Sequence, residues 1–258
     1  MRVLIVYVHP EPKSFNGAMK DLAVSSLTKH GHEVIVSDLY TKKWKAVADG
    51  GDFLEQVNED FLHYGREAGA AYQNGTLSPD ILAEQEKVMW ADVIIFQFPL
   101  WWFSMPAILK GWFDRVFTYG FAFSAGQRYS AGPLKGKRAM LALTAGGSPQ
   151  MYSERGFHGQ IEDLLFSINH GILYYAGCDV LPPFLALGLN HVDAEGRTQF
   201  LRDYEQRLLT LEQIAPIPYQ PLTDYDEQSQ LKPGLEGNSR GFDLHVAITL
   251  DPSPGLSR

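Results

Sequence analysis

Cysteine is almost absent from this 258-residue chain, in which Cys178 is the only one. A single cysteine excludes an intrachain disulfide and is typical of proteins from reducing compartments. The chain also lacks any apolar stretch near the roughly 20 residues that a membrane-spanning helix requires. Residues 1–8 form a short apolar run without a signal-peptide pattern. We therefore expect no membrane span and a cytoplasmic location.

Positive charge is scarce as well. The formal net charge is −8, from 22 basic and 30 acidic residues. Sequence-independent binding of nucleic acid requires a basic surface that displaces counterions, so we expect no nucleic-acid partner. The short basic cluster Lys135, Lys137 and Arg138 is typical of a solvated turn before a strand.

Several motifs of nucleotide, metal and hydrolase sites are missing. Without G-x-G-x-x-G or G-x-x-x-x-G-K-S/T, neither a Rossmann dinucleotide site nor a P-loop is indicated. The eight histidines are scattered, with no His-Glu-x-x-His and no Cys/His pairs at ligand spacing, so we expect no metal site. The missing G-x-S-x-G elbow argues against a serine hydrolase.

Apolar runs of strand length alternate with helical patterns along most of the chain. The predicted strands are 3–8, 34–36, 93–98, 138–143 and 180–184. The predicted helices are 15–31, 79–90, 106–117, 159–175 and 194–214. This alternation predicts an α/β fold with a doubly wound, five-stranded parallel sheet and helices on both faces, because parallel neighbours need helical crossovers.

Two stretches depart from the alternation. Residues 40–78 lack strong periodicity, and long insertions of this kind usually serve binding or assembly. From Ala215 the chain is rich in proline and polar residues. We predict one domain over 1–220 and an extended C-terminal tail over 221–258. The tail is expected to pack on a dimer partner or to be partly disordered, with fraying after about Val246.

The most informative segment is 93–117, where a buried strand ends at Pro99 and three aromatic residues follow. Trp101, Trp102 and Phe103 would stand at the carboxyl edge of the sheet, where open α/β folds bind ligands. Adjacent residues cannot all point one way, so at least one should stay accessible. A wall of this kind suits a flat, stacked ring, although core packing is the alternative.

Three further aromatic residues lie on the helix that follows this wall. Their helical spacing favours core packing for Trp112, Phe113 and Phe117.

Two other loops should reach the same edge. His9 follows the first strand, and Ser14 precedes a helix whose first backbone N–H groups favour an anion such as phosphate. The alternative is that Ser14 only caps this helix. Residues 144–147 follow the fourth strand, and their glycines allow close approach of the backbone to a ligand.

Tyr152 and His158 follow the glycine turn and are the candidate catalytic residues. A phenol and an imidazole can stabilise a ring that becomes negative by hydrogen bonding. Each residue alone is more often structural, but their place beside the ligand edge favours a functional pair.

Several motifs together resemble one family, the flavodoxin-like NAD(P)H:quinone oxidoreductases, also called the DT-diaphorase family. They are SFNGAMK (14–20), SDLY (37–40), LSPDILAEQ (77–85), FQFPLWWFSMPAILKGWFDRVF (96–117), TAGGSPQMYSERGFHG (144–159) and the helix that contains Arg197. The resemblance covers roughly residues 1–220 and implies a flavodoxin-like fold. It also implies a homodimer with active sites at the interface and a bound flavin, FAD with FMN as the alternative.

The resemblance also implies roles for individual residues. Those matched to cofactor contacts are His9, Phe15, Asn16, Ala18, Leu100, Trp101, Trp102, Phe103, Thr144, Ala145, Gly146, Gly147, Tyr152 and Arg197. Those matched to the substrate pocket are Ala122, Phe123, Ser124, Trp102, Phe103 and His158. Tyr152 and His158 match the pair that stabilises the reduced flavin. The sequence departs from the family at Phe123 and Ala125, where tyrosines are common, so the choice of quinone stays open.

The activity implied is NAD(P)H dehydrogenase (quinone), a ping-pong, two-electron hydride transfer from NAD(P)H through the flavin to a quinone. Two alternatives stay open. One is a flavin-dependent azo- or nitroreductase. The other is a soluble ancillary subunit of a potassium-efflux system, since some relatives of this fold serve such systems. NADH and NADPH are not distinguished, because no residue is identifiable as the partner of a 2′-phosphate.

Overall fold

A computed structural model describes residues 1–235, 237, 245 and 246. Within them, five strands form one parallel sheet in the order β2-β1-β3-β4-β5. The strands are β1 Arg2–Tyr7, β2 Glu33–Asp38, β3 Val93–Pro99, β4 Arg138–Thr144 and β5 Asp179–Ala186. The α-helices are α1 Phe15–Lys29, α2 Tyr64–Asn74, α3 Pro79–Trp90, α4 Ala107–Val116, α5 Ile161–Ile168 and α6 Ala194–Leu209. The predicted doubly wound parallel sheet is confirmed.

Each face of the sheet carries its own core, because alternate side chains of a strand point to opposite faces. Ile5 and Ile95 pack with α1 and α6 on one face. Leu4 and Phe96 pack with helices α2 to α5 on the other. Covering both faces explains why these strands read as continuous apolar runs. Each helix in the part of the chain described is too short or too polar to span a bilayer.

The order in which strands are added to the sheet reverses after β2, although all the strands remain parallel. After β1 the chain moves outward to β2, then crosses back to place β3 on the other side of β1. Tyr7 pairs with Gln97, and Pro99 pairs with Thr144, so the carboxyl ends of β1, β3 and β4 lie at one level. The crevice outside a switch point of this kind is where doubly wound sheets bind ligands.

Some predicted boundaries were wrong. The insertion 40–78 contains α2, and the helix predicted over 159–175 starts at Ile161 and continues as a π-helix over Asn169–Tyr174. The last helix ends at Leu209 rather than at 214, and strands β2 and β5 are longer than predicted.

The insertion is joined to the domain by a buried ion pair. Asp52 and Arg115 are 0% and 1% exposed, and the Arg115 Nη2 to Asp52 Oδ1 distance is 2.9 Å. Lys45 and Tyr64 also donate to the Asp52 carboxylate. Burial would raise the pKa of Asp52, but the hydrogen bonds from Arg115, Lys45 and Tyr64 outweigh it and lower that pKa.

The chain after α6 returns along the β5 side of the sheet. The Ile217 N–H donates to the Val180 carbonyl at 2.7 Å, and Tyr219 pairs with Val246 in a short antiparallel bridge. Phe166 and Tyr219 both pack on the ring of His170. The division at 220 remains a prediction, and the fraying expected after Val246 lies outside the described residues.

Candidate active site

The aromatic residues after β3 form a tight turn. Trp101 and Ser104 exchange two backbone hydrogen bonds of 3.0 Å, and the two residues between them have positive φ, 51° at Trp102 and 60° at Phe103. Both central positions of such a turn favour glycine or asparagine, and a bulky residue costs on the order of 1–2 kcal/mol there. Strain of this kind is concentrated at functional sites.

The turn presents its aromatic side chains to solvent. Trp101, Trp102 and Phe103 are 42%, 95% and 44% exposed, so the prediction that at least one stays accessible is confirmed. On the helix that follows, Trp112 and Phe113 are buried as predicted. Exposed aromatic residues next to one another at a switch point form a surface suited to a flat ring.

The glycine turn after β4 faces this wall across the edge of the sheet. The Leu100 N–H donates to the Thr144 carbonyl at 2.8 Å, which ties the two loops together. A Cβ on Gly147 would lie 3.0 Å from the ring of Tyr152 and one on Gly146 would lie 2.4 Å from the amide of Asn190. Glycine at both positions therefore follows from the close approach of neighbouring side chains.

Tyr152 and His158 lie together beside the aromatic turn, as predicted. Their ring centroids are 4.9 Å apart, and the His158 ring lies 5.0 Å from that of Phe103. The His158 N–H donates to the Met151 carbonyl at 3.0 Å, which fixes the loop between them. A tyrosine hydroxyl is protonated at neutral pH and can donate, and burial raises the pKa of Tyr152 further above its ordinary value.

The loop after β1 holds the first set of candidate cofactor residues. Ser14 Oγ accepts a hydrogen bond from the Gly17 N–H at 3.1 Å, so Ser14 caps α1. The His9 ring accepts from the Glu11 N–H at 3.0 Å and lies 6.3 Å from the ring of Trp101. Phe15 is half-buried against α6, whereas Ala18 is exposed.

Arg197 lies on the first turn of α6, beside the loop that follows β5. Its guanidinium donates to the Leu189 carbonyl at 3.0 Å, and the Leu189 N–H in turn donates to the Ala145 carbonyl at 3.2 Å. An exposed cation therefore stands one loop away from the glycine turn.

The predicted substrate residues after α4 are not gathered with the others. Phe123 packs on Tyr119 and Tyr175, whereas His158 packs on Phe103 and Tyr152. Ala122 is buried, Ser124 is half-buried, and Ala122 and Phe123 line a separate cavity of about 190 Å³. The ring contacts of Phe123 and those of His158 share no residue.

Sequence reasoning missed two polar residues beneath the site. Gln97, 0% exposed in the middle of β3, donates to the Asn16 carbonyl at 2.6 Å and accepts from the Tyr204 hydroxyl at 3.1 Å. A glutamine inside the run VIIFQFP was a usable signal, because a buried amide requires hydrogen-bonding partners. Tyr204 carries no comparable signal in the sequence.

Comparison with known proteins places the chain among relatives of the same fold. A family model described as Flavodoxin-like fold matches residues 1–208. A ribosyldihydronicotinamide dehydrogenase-like protein of Penicillium crustosum is 48% identical over 232 residues, covering 87% of this chain and 86% of that protein. NAD(P)H dehydrogenase (quinone) 1 of Rattus norvegicus is 43% identical over 226 residues, covering 87% of this chain and 82% of its own.

A solved structure agrees with these matches. A Klebsiella pneumoniae protein assigned as a quinone reductase superimposes with a TM-score of 0.92 at 46% identity, covering 96% of this chain and 100% of that one. The resemblance seen in the motifs is confirmed, and the chain belongs to the flavodoxin-like family of NAD(P)H:quinone oxidoreductases.

Proposed function

We propose that this protein is an NAD(P)H dehydrogenase (quinone) that binds FAD and reduces quinones by two electrons in a ping-pong cycle. The observation that carries the proposal is the strained aromatic turn, which exposes Trp101, Trp102 and Phe103 beside the Tyr152–His158 pair. The names of relatives at 43–48% identity support the same reaction class.

The residues at the switch point fit a flavin. Exposed aromatic rings would offer a stacking surface for a flat tricyclic system, and backbone groups of the half-buried glycine turn would bind its polar edge. The capped start of α1 favours a phosphate. FAD is proposed over FMN because Arg197 stands beyond the glycine turn, where a second nucleotide would find a cation.

The protein supplies position and charge stabilisation. A bound flavin would supply the hydride chemistry: two electrons and one proton would come from a reduced nicotinamide, and a quinone would accept them with one further proton from solvent and leave as the hydroquinone. The Tyr152 hydroxyl and the His158 imidazole would donate hydrogen bonds to a bound flavin and so would stabilise negative charge on it.

The homodimer is proposed because the residues matched to the substrate pocket fall into two groups within one chain, Phe123 with Tyr175 and His158 with Phe103. Phe123 lines the 190 Å³ cavity together with Tyr175, and His158 is not among the lining residues of that cavity. The insertion exposes Val57 and Phe61, which are 72% and 69% accessible, and apolar patches of this kind often mark protein interfaces. In the proposed dimer, Ala122, Phe123 and Ser124 of one copy complete the pocket of the other.

Steady-state kinetics with two varied substrates test the function. NADH, NADPH and a reduced nicotinamide riboside are each varied against a benzoquinone and a naphthoquinone. The third donor is included because relatives at 44–48% identity carry names that refer to ribosyldihydronicotinamide. Parallel double-reciprocal lines are expected. An azo dye and a nitroaromatic are assayed as alternative acceptors. A kcat/KM for either of them that clearly exceeds the value for every quinone would overturn the proposed substrate class.

A further inference from the structure

A chain of buried hydrogen bonds runs beneath the candidate site. Tyr204 on α6 donates to Gln97 Oε1 at 3.1 Å, and Gln97 Nε2 donates to the Asn16 carbonyl at 2.6 Å and to Asn16 Oδ1 at 3.0 Å. Asn16 Nδ2 then donates to Thr144 Oγ1 at 2.9 Å. We call these four residues the Tyr204–Thr144 relay. All four are buried.

One backbone atom determines the direction of the relay. The Asn16 carbonyl can only accept, so the Gln97 atom at 2.6 Å from it must be the amide nitrogen. Gln97 therefore turns its oxygen to Tyr204, which must donate. The side-chain oxygen of Asn16 faces the same Gln97 nitrogen, so its NH₂ group faces Thr144. Every bond donates in the same sense, from α6 toward the end of β4.

The relay ends at the ligand edge with the Thr144 hydroxyl, which can still donate one hydrogen bond. Thr144 Oγ1 accepts from Asn16, which leaves the hydroxyl hydrogen of Thr144 for a further acceptor. Thr144 is the last residue of β4 and opens the glycine turn, and Asn16 lies in the first turn of α1. The relay thus joins the two loops that flank the switch point through a single strand residue, Gln97.

We propose that Gln97 and Tyr204 are positioning residues for the flavin: they hold the start of α1 and the glycine turn at a set spacing and orient the Thr144 hydroxyl as a donor to the cofactor. The inference rests on the proposed function, because it requires a flavin at this edge. Hydrogen bonds arranged in one direction polarise one another, so loss of the first weakens the last.

The test is flavin binding to the apoprotein by variants that each remove one hydroxyl. Apoprotein is titrated separately with FAD and with FMN, and the quenching of flavin fluorescence gives the dissociation constant. Tyr204→Phe should weaken binding by about three- to tenfold, as expected for loss of one buried hydrogen bond. Tyr174→Phe is the matched control. Its hydroxyl donates to the Gln220 carbonyl at 3.0 Å, away from the site, so affinity should not change.

A double-mutant cycle separates positioning from a general loss of stability. In a Thr144→Val background, where the terminal hydroxyl is gone, Tyr204→Phe should change the affinity less than about twofold. In a Thr144→Ser background, which keeps a hydroxyl, the full effect should return. An equal effect of Tyr204→Phe in the Val and Ser backgrounds would overturn the relay.

Flavin binding by the wild-type apoprotein distinguishes the proposed function from the positioning role. Wild-type apoprotein that binds neither FAD nor FMN would reject the proposed function and the positioning role together. Wild-type apoprotein that binds flavin while Tyr204→Phe binds it equally well would reject the positioning role alone. Thermal unfolding of every apoprotein variant is measured in parallel. The relay is supported if Tyr204→Phe and Tyr174→Phe both lower Tm but only Tyr204→Phe weakens flavin binding.

Discussion

Trp102 and Phe103 occupy consecutive left-handed backbone positions, with φ of 51° and 60°, at the centre of a two-residue turn. Neither residue type favours this conformation, and burial offers little compensation, since Trp102 is 95% exposed. Sequences that satisfied folding alone would place asparagine and glycine here. The turn is therefore best explained by the aromatic surface that it presents.

Replacing Trp102 should separate stability from function. Trp102→Gly relieves the left-handed strain but adds conformational entropy to the unfolded chain. The difference between these two effects should raise the free energy of unfolding of the apoprotein by about 0.5–1 kcal/mol. The same variant should bind flavin more weakly, because a stacking surface is lost. Denaturant unfolding and flavin titration measure the two effects.

The neighbouring position provides the control for this variant. Trp101 is also exposed, but its φ is not positive, so Trp101→Gly should give no gain in stability. Equal stabilisation by both variants would contradict the strain interpretation.

Loss of the Tyr152–His158 pair should slow reduction of the flavin. Tyr152→Phe combined with His158→Phe removes both donors next to Phe103 and should lower the rate by about 10²–10³, the usual effect of removing a charge-stabilising donor. Stopped-flow absorbance after mixing with NADH or NADPH measures this rate. An unchanged rate in a double variant that still holds its flavin would remove the pair from the mechanism.

The strands were predictable because their burial on both faces leaves continuous apolar runs, as in Val93–Pro99. Helix α2 was not, because its buried face consists of Glu67, Ala68, Gly69 and Ala71, which give no apolar periodicity. The π-helical segment Asn169–Tyr174 was also not predictable, because a π-helical turn and an α-helical turn use the same types of residue.

Part of the candidate site was predictable as well, namely which loops meet at the ligand edge. Strand ends placed Trp101, Thr144 and the Tyr152–His158 loop at one edge of the sheet. The left-handed turn was not predictable, because the segment lacks the glycine or asparagine that signals one. Tyr204 could not be predicted as the partner of Gln97, because their contact depends on how α6 packs against the sheet and not on any local sequence pattern.

The ion pair that anchors the insertion should be important for stability. Asp52→Asn removes one of the two carboxylates that pair with the buried Arg115, the other being Asp80 at 2.8 Å. We therefore expect a loss of about 1.5–3 kcal/mol in the free energy of unfolding, the range for losing a buried hydrogen bond between charged groups. Asp114→Asn is the matched control. It breaks an ion pair with Lys110 that is about half exposed, and such pairs contribute at most about 1 kcal/mol. Similar losses in both variants would contradict the anchoring role.

Acid should weaken the packing around His170. Burial, with a smaller contribution from His245, lowers the pKa of His170 from 6.5 to about 4. The folded state therefore binds a proton less readily than the unfolded chain, so this contribution to stability is present above pH 6.5 and is lost as pH falls toward 4. The slope should be at most about 1.4 kcal/mol per pH unit.

Urea unfolding across this pH range measures the effect. His170→Phe keeps the ring contact with Phe166 but cannot bind a proton, so its slope should be smaller. The exposed His191 provides a control, and His191→Gln should keep the wild-type slope. A wild-type slope in His170→Phe would contradict the assignment.

The most direct test is to identify what the purified protein carries. The visible spectrum is recorded, the chromophore is released by denaturation, and its mass is determined. We predict absorption bands of an oxidised flavin and the mass of FAD, at one per chain. A colourless protein that also fails to take up added FAD or FMN under native conditions would contradict the central claim that the aromatic turn and the glycine turn together bind a flavin.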